Sequence, residues 1–174
     1  MDKKTEILDA AERRARTGGY NGFSFRDVAA DVGVKSASVH YHFPTKEDLG
    51  EAVADRYVDR MREFLGEPGV LSADAALDRV VGIFVEANET DDLMCLCAVF
   101  AAESGVLPAI IGTHINRFFS ELSRWLAASL AGEDAETRAL TAVAALEGGM
   151  IIARARKEPR ILRDVGRQIQ SAFA

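Results

Sequence analysis

The sequence predicts an all-α protein. It is rich in Ala, Leu, Arg and Glu, which are strong helix formers; only four prolines occur in 174 residues; and runs of alternating β-branched residues are missing. A hydrophobic share of 48% is enough for a core, either in one compact unit or in a small domain fused to a larger one, and argues against disorder.

Each element follows from periodicity and from start and stop signals. Residues 5–16 set Ile7, Leu8, Ala11 and Ala15 on one stripe with Glu6, Asp9, Arg13 and Arg16 off it, an amphipathic helix that Gly18-Gly19 stops. Ser24 then offers a cap, Asp27 completes a capping box, and Phe23 is placed to staple onto Val28. Phe25, Val28, Ala29 and Val32 recur at helical spacing, and Gly33 closes this short helix where a positive φ is needed. A third short helix covers 35–42 and ends before Phe43-Pro44, because the residue preceding a proline is pushed out of helical geometry. Thr45, with Asp48, caps a fourth helix from Lys46 to about Leu65, ended by Gly66-Glu67-Pro68-Gly69.

The body continues with helices near 73–90 and 92–104, broken by Gly105 and Pro108. A long helix to about Leu130 follows, with Ile115, Phe118, Phe119, Leu122, Trp125 and Leu126 as its apolar side. Helices over 135–156 and from Pro159 to Phe173 bring the expected total to nine. No internal repeat or low-complexity segment interrupts them.

Charge is unevenly distributed. Residues 1–50 hold eight basic and eight acidic residues; the remaining thirteen and nineteen supply the whole net charge of −6. A neutral head on an acidic body is compatible with DNA binding if the head's cations face one way. The N-terminus lacks an apolar stretch behind its positive charges, and no segment offers the roughly eighteen uninterrupted apolar residues of a membrane span, so a cytoplasmic location is expected. Two cysteines, Cys95 and Cys97, make no disulfide framework. No nucleotide, dinucleotide, zinc or nucleophile-elbow motif is present, which argues against an enzyme, a metal or a cofactor.

Two short helices separated by one glycine turn form a helix-turn-helix candidate. Its second helix must come close to DNA and carry small and polar side chains into the major groove, and Ser36, Ala37, Ser38, His40, Tyr41 and His42 meet that need. On spacing alone, the histidines and Tyr41 equally suit the surface of an ordinary helix, with Tyr41 able to stack inward. The run from Gly22 through Leu49 resembles the DNA-binding signature of TetR-family regulators, with Lys35 where Ser is common and His40 where Tyr is common.

That resemblance implies that Arg26, Lys35, Ser36, Ala37, Ser38, His40, Tyr41 and His42 face double-stranded DNA, that Lys46 holds a phosphate, and that Phe43, Val39, Val28 and Ala29 are core. It further implies a DNA-binding domain at 1–48 and a ligand-binding and dimerisation domain at 49–174. Function then reads as a ligand-responsive repressor that binds a palindromic operator as a homodimer and is released by a small molecule or electrophile. A DNA-binding regulator without a ligand is the alternative. The fourth helix, joining head to body, is the natural lever between the two.

The resemblance pairs the last two helices with those of a second subunit. Residues 139–152 are apolar around most of the circumference, and Gly148-Gly149 permits close helix approach. In a helix Cys95 and Cys97 would point about 200° apart and neither chelate nor bond. The segment around them is similar to a TetR subgroup that senses electrophiles through a cysteine at the position of Cys95, although buried cysteines are commonly fillers. Asp91, Asp92 and Glu103 would disfavour a thiolate unless Arg117, Arg124 or a helix N-terminus offset them. Phe84, Phe100, His114, Phe118, Trp125 and Glu147, with the two cysteines, are the candidates for an inducer site.

Overall fold

The structure, a computed structural model, describes residues 2–90 and 93–173, without the side chain of Thr90. Among them are nine α-helices: α1 (Lys3–Gly18), α2 (Phe25–Val32), α3 (Ser36–His42), α4 (Lys46–Leu65), α5 (Ala73–Thr90), α6 (Leu96–Ala102), α7 (Ala109–Ala127), α8 (Ala135–Arg156) and α9 (Arg160–Phe173), with a 3-10 turn at Tyr20–Gly22. Capping explains the agreement at the head. Asp2 caps α1, Gly19 at φ 77° ends it, and Ser24 and Asp27 form the reciprocal box that starts α2. Thr45 N–H donates to Asp48 Oδ2 at 2.8 Å while Asp48 N–H donates to Thr45 Oγ1 at 3.1 Å, the same device at α4.

The sixth helix differs from its expected range of 92–104. It is seven residues long, and Cys95 stands before it rather than within it. The Cys95 N–H donates to Met150 Sδ at 3.1 Å, so this stretch is held by a partner on α8. Beyond Ala102, Glu103, Ser104 and Val106 close tight turns onto carbonyls three residues back. Cys95 and Cys97 therefore do not share a helix, and no helical geometry fixes the expected 200° between them; both are buried free thiols. Asp91 and Asp92 lie outside the described residues.

The chain forms two compact units. The first comprises Met1–Asp59 with Leu96–Arg117, and the second Arg60–Cys95 with Phe118–Ala174, so α4 and α7 each contribute to both. In the first unit Ile7, Ala11, Ala15, Phe23, Val28, Ala29, Val39, Phe43, Leu49 and Val53 are buried together with Phe100 of α6. Tyr20 sets its ring edge-on to Phe23 and to Phe100, with centroids 5.8 and 6.1 Å away.

In the second unit α9 packs on α5 and α8. Close approach is enforced by glycine on both sides: a Cβ on Gly166 would come within 2.5 Å of Val81 Cγ1, and one on Gly149 within 3.1 Å of Leu162 Cδ1. Gly148 faces open space in the single chain. No described helix is long and apolar enough to cross a membrane.

Candidate nucleic-acid interface

The α2–α3 pair is built by local bonds. Ser24 N–H donates to Asp27 Oδ2 at 3.0 Å and Asp27 N–H returns to Ser24 Oγ at 3.3 Å. The Ser24 hydroxyl also donates to the Asp27 carboxylate, which holds that carboxyl below its ordinary value. Gly33 follows at φ 70° and ψ 34°, and its N–H reaches the carbonyls of Ala29 and Ala30. A left-handed residue there turns the chain into α3 within three positions, which is why glycine stands at the turn. Lys35 takes the N-cap position of α3 with extended backbone and makes no side-chain cap. The long side chain has no acceptor to offer and is exposed.

Val39 fastens α3 to the core beside Val28 and Ala29, all buried. The opposite face is open: Lys35, Ala37, His40 and Tyr41 are exposed, and Ser36, Ser38 and His42 partly so. Tyr41 is 85% exposed and touches the His42 ring edge-on at 5.2 Å between centroids, so it points outward rather than stacking into the core. His40 rests at 4.4 Å, edge to face, on Phe25, with Nδ1 at 3.4 Å from the Pro44 carbonyl oxygen. A proton on Nδ1 would donate there and leave Nε2 unprotonated, an acceptor. Arg26 is exposed on α2.

Lys46 is placed differently. Its Nζ lies 4.5 Å from the Tyr20 ring centroid and 4.9 Å from that of Phe23. Burial pushes its ammonium below the ordinary value, and the charge of Glu103 opposes that shift. This is a cation seated on two aromatic faces at the start of α4. Two participants escaped sequence reasoning. Lys3 lines an open concavity of about 350 Å³ with Ile7, Val34, Ala37, Ser38, Tyr41 and His42, a juxtaposition of α1 and α3 that no spacing announces. Glu103 Oε2 accepts the Tyr20 N–H at 2.7 Å across 83 positions of sequence.

The eight candidate inducer residues divide between the two units. Phe84, Cys95, Phe118, Trp125 and Glu147 fall in the second; Cys97, Phe100 and His114 fall in the first. Cys95 and Glu147 are brought together: the thiol is a donor to a carboxyl that burial lifts to about 7. Trp125 is tied elsewhere, its indole N–H donating to the Gly66 carbonyl at 2.8 Å. His114 stands between Asp55 and Glu51, at 3.4 and 3.6 Å. Arg117 pairs with Asp55 at 2.8 Å, and the Arg124 Nε–H donates to the Ser120 carbonyl, so each has a partner other than Cys95. Among the described residues no group of three or more His, Cys, Asp or Glu could hold a metal ion.

Comparison with known proteins agrees with this architecture. The family model described as bacterial regulatory proteins, tetR family, matches residues 7–53, and that of the transcriptional regulator LmrA/YxaF-like C-terminal domain matches residues 72–168. An uncharacterized HTH-type transcriptional regulator in the dhlA 5' region of Xanthobacter autotrophicus is 28% identical over 157 residues, covering 84% of this chain and 75% of that protein. The HTH-type transcriptional repressor AcnR of Corynebacterium diphtheriae is 33% identical over 69 residues, 40% of this chain and 36% of the repressor. The crystal structure of a TetR transcriptional regulator from Legionella pneumophila superposes with a TM-score of 0.91 at 30% identity, covering 100% of this chain and 98% of that one. With a helix-turn-helix whose second helix turns its polar face outward, and with matches along both parts of its length, the chain belongs to the TetR family of transcriptional regulators.

Proposed function

We propose that this regulator is a cytoplasmic repressor that grips a palindromic operator as a homodimer and is released when a small molecule enters its body. Residues 1–48 act as the DNA reader and 49–174 as the ligand-binding and dimerisation part. The observation that carries the DNA reading is the outward face of α3: a core-fastened helix whose His40 and Tyr41 are exposed, Tyr41 to 85%, with the exposed Lys35 at its N-cap. Ser36, Ala37, Ser38, His40, Tyr41 and His42 meet base edges and the nearest phosphates, while Lys35, Arg26 and Lys46 serve the backbone. Repression is favoured by relatives that carry that name, AcnR among them.

The homodimer rests on the outer faces of α8 and α9. Leu140, Ile151 and Ile152 are 58%, 53% and 50% exposed. Beside them runs an apolar groove of about 380 Å³ lined chiefly by Val165, Ile169, Ala172 and Phe173 with Thr141 and Ala145. Apolar surface of this kind suits a second copy, and a two-fold axis would match two half-sites of a palindrome.

Ligand and operator then exclude each other by linkage, each favouring a different state of the dimer. The test is selection of bound duplexes from a random pool, followed by stoichiometry. The expected result is a two-fold symmetric consensus carrying an even number of protomers. Duplexes with no common sequence, bound by one protomer, would sink the proposal.

A further inference from the structure

The second unit buries a carboxylate that the described fold leaves without an opposite charge. Glu147 is 8% exposed on α8, on the stripe that also carries the buried Val143 and Met150. Neither of its oxygens meets an N–H or O–H donor among the described residues. The Cys95 thiol is a weak donor beside it, and the Cys95 N–H is used on Met150 Sδ, one turn along the same face. A second group is also short of a partner. Asn88 on α5, a helix that packs on α8, is 6% exposed and its Nδ2 has no acceptor among the described residues. Buried polar groups are hydrogen-bonded as a rule, so a buried ionisable side chain with both oxygens short of such a donor is a place where a partner is missing.

The sign of the charge selects the partner. A neutral donor would satisfy a lone pair of Glu147 and leave the negative charge buried, whereas a cation removes both deficits at once. The surroundings, Val143, Leu146, Met150 and Cys95, demand that the rest of the molecule be apolar. We infer that Glu147 is the anchor of a site for small organic cations, an ammonium or amidinium carried on an apolar body. This rests on the ligand-sensing reading above and specifies its chemistry.

Linkage gives the assignment a signature. The free carboxyl titrates at about 7. A cation pairs with the ionised form, so binding expels a proton below that value, and affinity rises with pH until the free protein is ionised. The test uses the full chain with phenethylammonium, which stays protonated throughout, against its neutral and anionic counterparts, phenethyl alcohol and phenylpropionate. Calorimetry and thermal shift are run in the millimolar range.

Phenethylammonium is expected to stabilise the wild-type chain and to bind about tenfold more tightly near pH 8 than near pH 6. In Glu147→Gln, a variant that removes a buried charge, its affinity falls at least tenfold and the pH dependence disappears. The wild-type pH profile carries the inference even without the variant. If the alcohol or the propionate stabilises the chain as well as the amine does, or if the amine binds independently of pH and of Glu147, the cation assignment is wrong while ligand sensing stands. If none of the three shifts the melting temperature, the cation assignment is overturned, while ligand sensing is tested separately by small-molecule release of the chain from its operator.

Discussion

At Glu147 the burial of one carboxyl makes its own contribution to how stability responds to pH. Its folded value of about 7 lies above the ordinary 4.5, with burial as the leading cause and the Cys95 thiol opposing. Folding therefore favours the protonated acid. The stabilising effect is complete below the ordinary value and is lost as pH rises through about 7. The full effect is on the order of 3 kcal/mol. Glu147→Gln should then unfold at higher denaturant than wild type near pH 8, the two converging near pH 4.5, as read by chemical denaturation at several pH values. Parallel curves at every pH would mean that the carboxyl is solvated. On DNA, Ser36→Ala and His40→Ala should redistribute sequence preference by about 1–3 kcal/mol at one operator position. Lys46→Ala should instead weaken every duplex by a similar factor and flatten the salt slope by about one. Since Lys46 also lies over Tyr20 and Phe23, it should lower the melting temperature as well, which separates it from the α3 variants.

At the scale of elements, local chemistry decided what could be read in advance. The box of Ser24 with Asp27 and the left-handed Gly33 act within four residues of the helix they bound, so the sequence displays both ends of α2. Ser24→Ala should cost about 1 kcal/mol in equilibrium unfolding; no measurable loss would show that the box is redundant with packing. Helix α6 could not be read this way. Its shortened start depends on Met150 taking the Cys95 N–H from 55 positions away, and spacing carries no trace of that. The same division runs through the candidate sites. The proposed DNA face lies mostly in one contiguous run, Lys35 to His42, so its small and polar residues can be read together in the sequence. Interior residues do not reveal themselves, because Trp125 and Leu122 are equally apolar in sequence, and the bond of Trp125 to Gly66, 59 positions away, is what marks it as part of the unit's framework.

At the scale of the whole molecule, a chain of net charge −6 carries its acidic surplus after residue 50, C-terminal to α3 in the sequence. Association through α8 and α9 would join two sets of the same DNA contacts, so that the second half-site binds at a high effective concentration. If the proposed homodimer forms through α8 and α9, Ile151→Asp, at a position 53% exposed, should leave the fold intact and yield a monomer in light scattering, with operator affinity falling at least tenfold. A variant that stays dimeric would move the interface elsewhere. The central claim, that the outward face of α3 reads DNA, is tested most directly at Tyr41, whose 85% exposure makes its removal harmless to the core. The measurement is the affinity of Tyr41→Ala for the selected operator at fixed salt, beside its melting temperature. A loss of about 1–3 kcal/mol with an unchanged melting temperature is the predicted result. Full affinity in that variant, and again when Ser36 and His40 are replaced with it, would contradict the account.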